Sequence, residues 1–500
     1  MGTPDSPSLG KSSHNLANPM QKSSKPTPFE PYAVDLKVEL SGRGDLAPEA
    51  ALCLLRGHDR LVLLHSAGGV PRRFSLLGFD PVVALDRHPG DPIEVTTFEQ
   101  LRAATKVHCA GPVPGPFAGG FLGALSYDFG AANLDLKLPA DLAPESLGQP
   151  KIVGGVFTDF VVWDHKTQSI HLVLNQSRPG FDLRLRTVMG ELSGDTGAET
   201  PGFQADPVFL RDTAAAVHEQ RVEATRQAIR RGELYQANLA HWIRGRVTGD
   251  AVDAYRALAT VNTAPYMGFV SWPGGALLSA SPELLLDLAK DSAGDLIVTT
   301  RPIKGTAPRG STPSEDRALA GQLLASAKDR AELAMIVDLE RNDLGRVAKA
   351  GCVSVGQFPR LETFAAVHHL VADVTATLRP GETAYSLLAS VFPGGSITGA
   401  PKLASMELIA ELEACERGFF CGGLGFIDSR GSACFNILIR TILWRDKDQT
   451  QTGEREAEVA MAVGGGITWA SEPKLEDEET LHKAASLLSA LGVSELRDAP

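Results

Sequence analysis

Short apolar runs closed by glycine, aspartate or proline fill the first third of the chain. Leu61-Val62-Leu63-Leu64-His65, residues 74–81 (F-S-L-L-G-F-D-P) and Val161-Val162-Trp163-Asp164-His165 have the lengths and stops of strands. The small-residue run at 117–128, F-A-G-G-F-L-G-A-L-S-Y-D, reads as a strand packed closely against its neighbours. Beyond residue 207 the period lengthens. Val217, Val222 and Ile229 fall among charges between residues 208 and 231 and predict a helix that stops at Gly232. A second helical stripe joins Glu332 to Met335, Ile336 and Leu339, so that carboxylate points where the core points. Near the C-terminus, Glu476, Glu479 and Lys483 share one side of a helix. Strands and helices are mixed without a strand-helix-strand rhythm, which predicts an α+β chain.

Organisation follows from composition. Residues 1–31 are rich in Ser, Pro, Asn and Lys without an apolar period and read as a disordered leader. Residues 32–192 form a structural N-terminal part, 193–207 a Gly-, Pro- and Thr-rich connection, and 208–492 the region that carries the chemistry. The net charge of −12 and the lack of clustered Lys and Arg exclude a nucleic-acid surface, so an anionic substrate has to be held by local groups. Six scattered cysteines, without a CxxC pair, suit a reducing cytoplasm. No apolar run reaches the length of a membrane span, so no membrane association is expected.

Residues 301–309, R-P-I-K-G-T-A-P-R, place Lys304 between the strand-formers Leu296-Ile297-Val298-Thr299-Thr300 and a turn expected at Gly305 and Pro308. Taken alone, such a lysine is a solvated surface charge. Four longer stretches change that reading. They are E-L-A-M-I-V-D-L-E-R-N-D-L-G-R at 332–346, P-G-G-S-I-T-G-A-P-K at 393–402, R-G-F-F-C-G-G-L-G-F-I-D and N-I-L-I-R within 417–440, and V-G-G-G-I-T-W-A-S-E-P-K-L-E-D-E-E-T-L-H-K at 463–483. With Ser281-Pro282-Glu283 they resemble, in order, the chorismate-utilising enzyme family. The fold this resemblance implies is two antiparallel β-sheets packed as a sandwich, with helices on the outside and the substrate buried near the interface. Anthranilate-forming members carry alanine where this chain has Lys304. The lysine resembles the branch that aminates chorismate at C4, on the way to 4-aminobenzoate and folate.

Chorismate has two carboxylates, an allylic hydroxyl at C4 and an enolpyruvyl ether, so amination needs a grip on the carboxylates, an acid and a nucleophile. By resemblance, Glu332, Glu476 and Glu479 match magnesium-binding glutamates, although acidic residues in a first helical turn also read as partners of the helix dipole. Mg2+ would clamp the ring carboxylate. Arg440 matches the substrate arginine and suits the enolpyruvyl carboxylate. Further substrate contacts are expected from Gly464, Gly465 and Gly466 as an anion nest, from Gly399, Ala400 and Lys402 where a helix opens with Pro401 in its first turn, and from Ser396, Thr398 and Lys483. The loop fails the phosphate-binding pattern because Ala400 and Pro401 separate Gly399 from its lysine.

Glu283 matches the general acid and His369 the active-site histidine, whose role here is positioning; by itself a histidine in A-V-H-H-L-V-A-D-V reads as a core residue. Lys304 would be the nucleophile, adding at C2 before ammonia adds at C4. Holding its amine neutral near pH 7 takes a depression of about 3 pH units, roughly 4 kcal/mol. Gln236 stands where isochorismate- and salicylate-forming members place a water-activating lysine. It reads as a buried structural residue and argues against water as the nucleophile. No G-x-C-x-G turn with a downstream H-x-E is seen, so ammonia is expected from a separate glutamine amidotransferase subunit. The rivals are an anthranilate-forming enzyme, an isochorismate- or salicylate-forming enzyme, and a non-catalytic subunit that activates a glutaminase.

Overall fold

A computed structural model describes residues 26–40, 46–67, 73–86, 95–136, 149–195, 202–364, 367–447 and 455–499. Most of the expected leader, residues 1–25, lies outside the described residues. Its last part is ordered: Thr27–Phe29 pairs in parallel with Val107–Cys109, and Pro31–Asp35 pairs with Ser169–Asn175. The expected boundary at residue 31 is therefore too late. Phe29 supplies the reason, since its ring is fully buried against Phe160.

Two large sheets make the body. One runs Pro31–Asp35, Ser169–Asn175, Phe160–Asp164, Phe74–Gly78, Val62–His65, Tyr266–Trp272, Gly275–Ser281, Thr441–Asp446, Glu456–Ile467, Gln236–Gly249, Val208–Arg211 and Glu495–Asp498. The other runs Ala348–Val355, Val374–Leu378, Leu296–Arg301, Leu284–Lys290, Ala433–Asn436, Gly423–Asp428, Gly120–Leu125, Ile152–Phe157 and Val83–Ala84. Both mix strands from before and after residue 200, so the two halves of the chain share their sheets. The expected connection contributes as well: Phe203–Ala205 pairs with Val247, Thr248 and Gly249. The expected helix over 208–231 is a strand, Val208–Arg211, followed by the helix Ala215–Arg230.

Strand periodicity divides the apolar residues of the first sheet between two cores. Val62, Leu76, Val162, Leu277, Leu443 and Ala460 face the second sheet and pack with Phe121, Leu122, Leu286, Val298, Phe426 and Phe435. Their neighbours Leu63, Leu77, Val161, Leu278, Ile442 and Val459 face outward, beneath helices that contribute Leu52, Val188, Tyr255, Leu258 and Leu487. The expected sandwich with outer helices is what the chain forms. It also forms a small third sheet of Ile303–Pro308, Val367–Val371 and Arg360–Thr363. No helix of the described residues is long and apolar enough to cross a membrane.

Candidate active site

Two strands pass from one large sheet to the other at adjacent corners, and the corners carry charge. Gly275–Ser281 belongs to the first sheet and Leu284–Lys290 to the second, with Pro282 and Glu283 between them. Ala433–Asn436 and Thr441–Asp446 make the reverse crossing through residues 437–440, which end at Arg440. The corners are tied together: Ile437 N donates to Glu283 O at 3.0 Å, the Ser281 hydroxyl to Ile437 O at 2.6 Å and Ala280 N to Arg440 O at 2.9 Å. Arg440 thus does not end a strand, as expected, but sits in an irregular corner with φ +51°. Both side chains are withdrawn from solvent and lie close enough to affect each other's charge.

Glu283 is 5% exposed, and its Oε1 and the buried Ser396 hydroxyl both lack a hydrogen-bond partner among the described residues. Burial raises the carboxyl pKa, against the lowering effects of Ser396, Lys304, the Ile303 backbone and Arg440. Burial lowers that of the Arg440 guanidinium, which Glu283 opposes.

Lys304 enters from the third sheet. After Leu296–Arg301, Pro302 interrupts the ladder and the chain joins the small sheet as Ile303–Pro308. The turn expected at Gly305 and Pro308 is instead a bulge within a strand, where register shifts between Ile303 and Thr306 and Gly305 takes φ +85°. A side chain at Gly305 would also come within 2.9 Å of Asp329. The half-buried Lys304 has its pKa lowered by burial, against Glu332, Glu283 and Glu479 and together with Lys483. Its Nζ lies 3.1 Å from where a Cβ on Gly466 would stand.

His369 lies opposite Thr306 in the same sheet, 3% exposed, with Nδ1 and the Thr306 hydroxyl 2.9 Å apart. Burial, then Arg440, lowers its pKa to about 4, so the ring is neutral. Its ring also meets Phe364 edge-on at 5.6 Å.

The expected metal ligands come from two helices. Glu332 lies on Ala327–Gly345, 3.9 Å from Lys328, and burial raises its pKa while Lys304 lowers it. Glu476, Glu479 and Lys483 lie on Pro473–Leu491. Burial raises Glu476, with Glu479 adding to the rise. Burial would raise Glu479 too, but Lys483, 2.7 Å away, holds it below its ordinary value. Lys483 also donates to Gly464 O at 2.9 Å. Among the described residues no three His, Cys, Asp or Glu side chains converge as a metal group. The carboxylates are the hard oxygen donors a magnesium ion takes, and such an ion keeps waters and accepts substrate oxygens in place of a closed protein cage.

Seven of the expected substrate contacts are placed differently. Gly464, Gly465 and Gly466 do not form a nest: they run in the strand Glu456–Ile467, paired with Ala240, Leu239 and Asn238, without positive φ. They provide room instead, since a Cβ on Gly465 would stand 3.2 Å from Glu476 Oε2 and one on Gly466 2.8 Å from Gln236 Nε2. Lys402 is buried with its Nζ on Asp343 at 2.6 Å and on Val391 O at 2.9 Å, so its charge is neutralised inside the protein. The Thr398 hydroxyl donates to Gly394 O at 3.0 Å within its own turn. Gly399 and Ala400 pair with Ala237 and Gln236, where Gly399 takes φ +140° and a Cβ would meet Gln236 O. They press the Ser396 turn onto the strand.

That strand holds what the residue pattern undervalued. Gln236 is fully buried, and neither polar atom of its amide has a hydrogen-bond partner among the described residues. Asn238, two residues on and so on the same face, donates to Ser396 O at 2.9 Å and lies beside Gly466. An unpaired buried amide is a costly feature that a ligand would relieve. Glu340, on the Glu332 helix, accepts from Thr300 at 2.5 Å, and burial raises its pKa to about 8. The i, i+2 spacing of Gln236 and Asn238 was visible in the sequence; their neighbours were not.

Residues 60–489 match the family of chorismate binding enzymes. The chain is 35% identical over 470 residues to aminodeoxychorismate synthase component 1 of Bacillus subtilis (strain 168), covering 88% of this chain and 94% of that protein. It is 37% identical over 391 residues to an anthranilate synthase component 1 of Haloarcula marismortui, covering 75% and 76%. Among solved structures it is similar to anthranilate synthase component I from Streptococcus pneumoniae TIGR4, with a TM-score of 0.70 and 29% identity over 84% of this chain and 93% of that one.

Proposed function

The chain belongs to the chorismate binding enzymes, and from that premise we propose that it aminates chorismate at C4, the reaction of an aminodeoxychorismate synthase component 1, on the way to 4-aminobenzoate and folate. The observation that carries this reading is the Lys304 amine, half-buried, lowered in pKa and facing Glu283, Glu332 and Glu479.

In the proposed reaction the neutral Lys304 amine adds to C2 of the ring. Both ring double bonds shift, and the C4 hydroxyl leaves as water with the proton of Glu283. Burial favours both starting forms, a neutral amine and a protonated carboxyl. Ammonia then adds at C4, the double bonds shift back and Lys304 departs as a neutral amine. The Glu283 carboxylate recovers its proton from the new C4 ammonium, so the cycle closes. Arg440 would fork onto a substrate carboxylate. The neutral His369, beside Thr306 and near Arg440, would serve to position the substrate. Glu332, Glu476 and Glu479 would hold Mg2+, which supplies charge for the ring carboxylate. Gln236, where water-activating relatives have lysine, offers an amide but no base.

Ammonia would come from a glutamine amidotransferase partner or from an ammonium salt. The test is to incubate the protein with chorismate, Mg2+ and ammonium and identify the product by mass. The expected product is 4-amino-4-deoxychorismate without pyruvate, and Lys304→Ala abolishes or diverts it. Pyruvate release with an anthranilate product would reject the reading in favour of an anthranilate synthase.

A further inference from the structure

The motif R-G-F-F-C-G-G has no part in the chemistry above, yet its arginine bonds the two segments that carry Gln236, Asn238 and Ser396. Arg417 is 2% exposed. Its Nε and Nη2 fork onto Glu413 at 2.9 and 2.6 Å, Nη2 also donates to Asn238 O at 2.6 Å, and Nη1 donates to Ile397 O at 3.3 Å. The rings of Tyr127 and Phe420 lie 5.1 and 5.5 Å from the guanidinium carbon. The Arg417 and Gly418 amides donate to Asp128 at 3.4 and 2.6 Å, which fixes the backbone that carries the side chain.

The two carbonyls belong to two segments that carry side chains of the candidate site. Asn238 follows Gln236 on the strand facing Lys304, and Ile397 follows Ser396, whose hydroxyl lies beside Glu283. Asn238 bonds Ser396 O as well, so strand, turn and arginine form one closed set of hydrogen bonds. We infer that Arg417 is a positioning residue, which sets the separation between the Gln236 and Asn238 strand and the Ser396 turn and thereby the alignment of Glu283 with the substrate. Stability alone does not account for it, because a buried ion pair can be replaced by apolar residues at little loss. Nor does charge, because lysine offers no planar fork to reach both carbonyls and Glu413 together. The inference rests on the family's use of chorismate and on Glu283 as the acid, whichever nucleophile follows.

Three variants separate positioning from stability. Arg417→Lys keeps the charge opposite Glu413 and loses the fork. Glu413→Gln keeps the guanidinium on both carbonyls and loses the charge, together with one of the acceptor oxygens that Glu413 offers to Arg417 and to Ala240 N. The double variant Arg417→Met/Glu413→Leu replaces the pair with apolar volume. With chorismate consumption as the assay, Arg417→Lys and the double variant are expected to lose kcat by ~30- to 100-fold with chorismate KM within ~3-fold, as for misalignment near 1 Å. Glu413→Gln is expected to keep kcat within ~3-fold even where its melting temperature falls further. Amide exchange at residues 236–239 and 395–400, which does not depend on turnover, should rise in Arg417→Lys and the double variant and not in Glu413→Gln; Ala240 is left out because its amide bonds Glu413 directly. A double variant with wild-type kcat, or activity losses that track melting temperature across all three, would overturn the inference. A wild-type product containing anthranilate would reject the amination reading and leave this comparison intact.

Discussion

Gly466→Ala tests the site through a single methyl group. Gly466 lies in a regular strand without positive φ, so alanine strains no backbone there. Its Cβ would stand 2.8 Å from Gln236 Nε2, 3.1 Å from Asn238 Oδ1 and 3.1 Å from Lys304 Nζ. All three are ends of side chains, which retreat by a few tenths of an ångström. The fold should therefore lose no more than the ~1–3 kcal/mol of ordinary overpacking. The reaction responds more steeply, because a reacting atom displaced by ~1 Å changes a rate by ~100-fold, so a smaller retreat of Lys304 implies ~10-fold or more in kcat. Gly464→Ala is the contrasting case, since its Cβ would stand 2.3 Å from the Leu239 carbonyl, which belongs to a paired strand. It should lower the melting temperature strongly. Gly321→Ala, on an exposed helix with nothing within 4 Å, should raise stability by up to ~1 kcal/mol and leave kcat unchanged. Steady-state kinetics and thermal melts of the three variants suffice. Wild-type kcat in a folded Gly466→Ala protein would mean that Lys304 does not act above this glycine.

Other consequences follow from the same geometry. The pH profile of kcat/KM should be bell-shaped, because the active form pairs a neutral Lys304, whose pKa burial lowers, with a protonated Glu283, whose pKa burial raises, and that pairing is lost toward both acid and alkaline pH. His369, held at about 4, contributes neither limb, so His369→Asn should lower the rate without moving either, as initial rates across pH will show. Lys402→Met should destabilise the protein by about 3–5 kcal/mol in urea unfolding because it strands a buried carboxylate. Arg346, 2.9 Å from Asp343, favours the lower end of that range, and Lys402→Met/Asp343→Asn should recover much of the loss. Glu479→Gln should raise the magnesium concentration for half-maximal activity by at least ~10-fold. On the proposed magnesium site, adding Mg2+ should raise the melting temperature of the wild type and raise it less in Glu479→Gln, which differential scanning fluorimetry reads without turnover.

Much of the fold was legible in the chain because strand and helix periodicities are local. Leu61 to His65 and Val161 to His165 announce strands wherever they end up, and Glu332 declares its side of a helix through Met335, Ile336 and Leu339. The order of the motifs carried the family for the same reason. What the chain alone did not determine is the neighbour each face meets. Gly464-Gly465-Gly466 is compatible with an anion nest until its pairing with Asn238 to Ala240 makes it a strand that leaves room for Lys304 and Glu476. Lys402 is a plausible substrate ligand until Asp343, 59 residues earlier, neutralises it. Gln236 is an ordinary core amide until the register of three strands leaves its polar atoms unpaired beside a lysine. Periodicity specifies a direction relative to the backbone, whereas charge, burial and reactivity depend on what stands within a few ångströms of that direction. Only the closing of the two sheets around their shared corners supplies those distances.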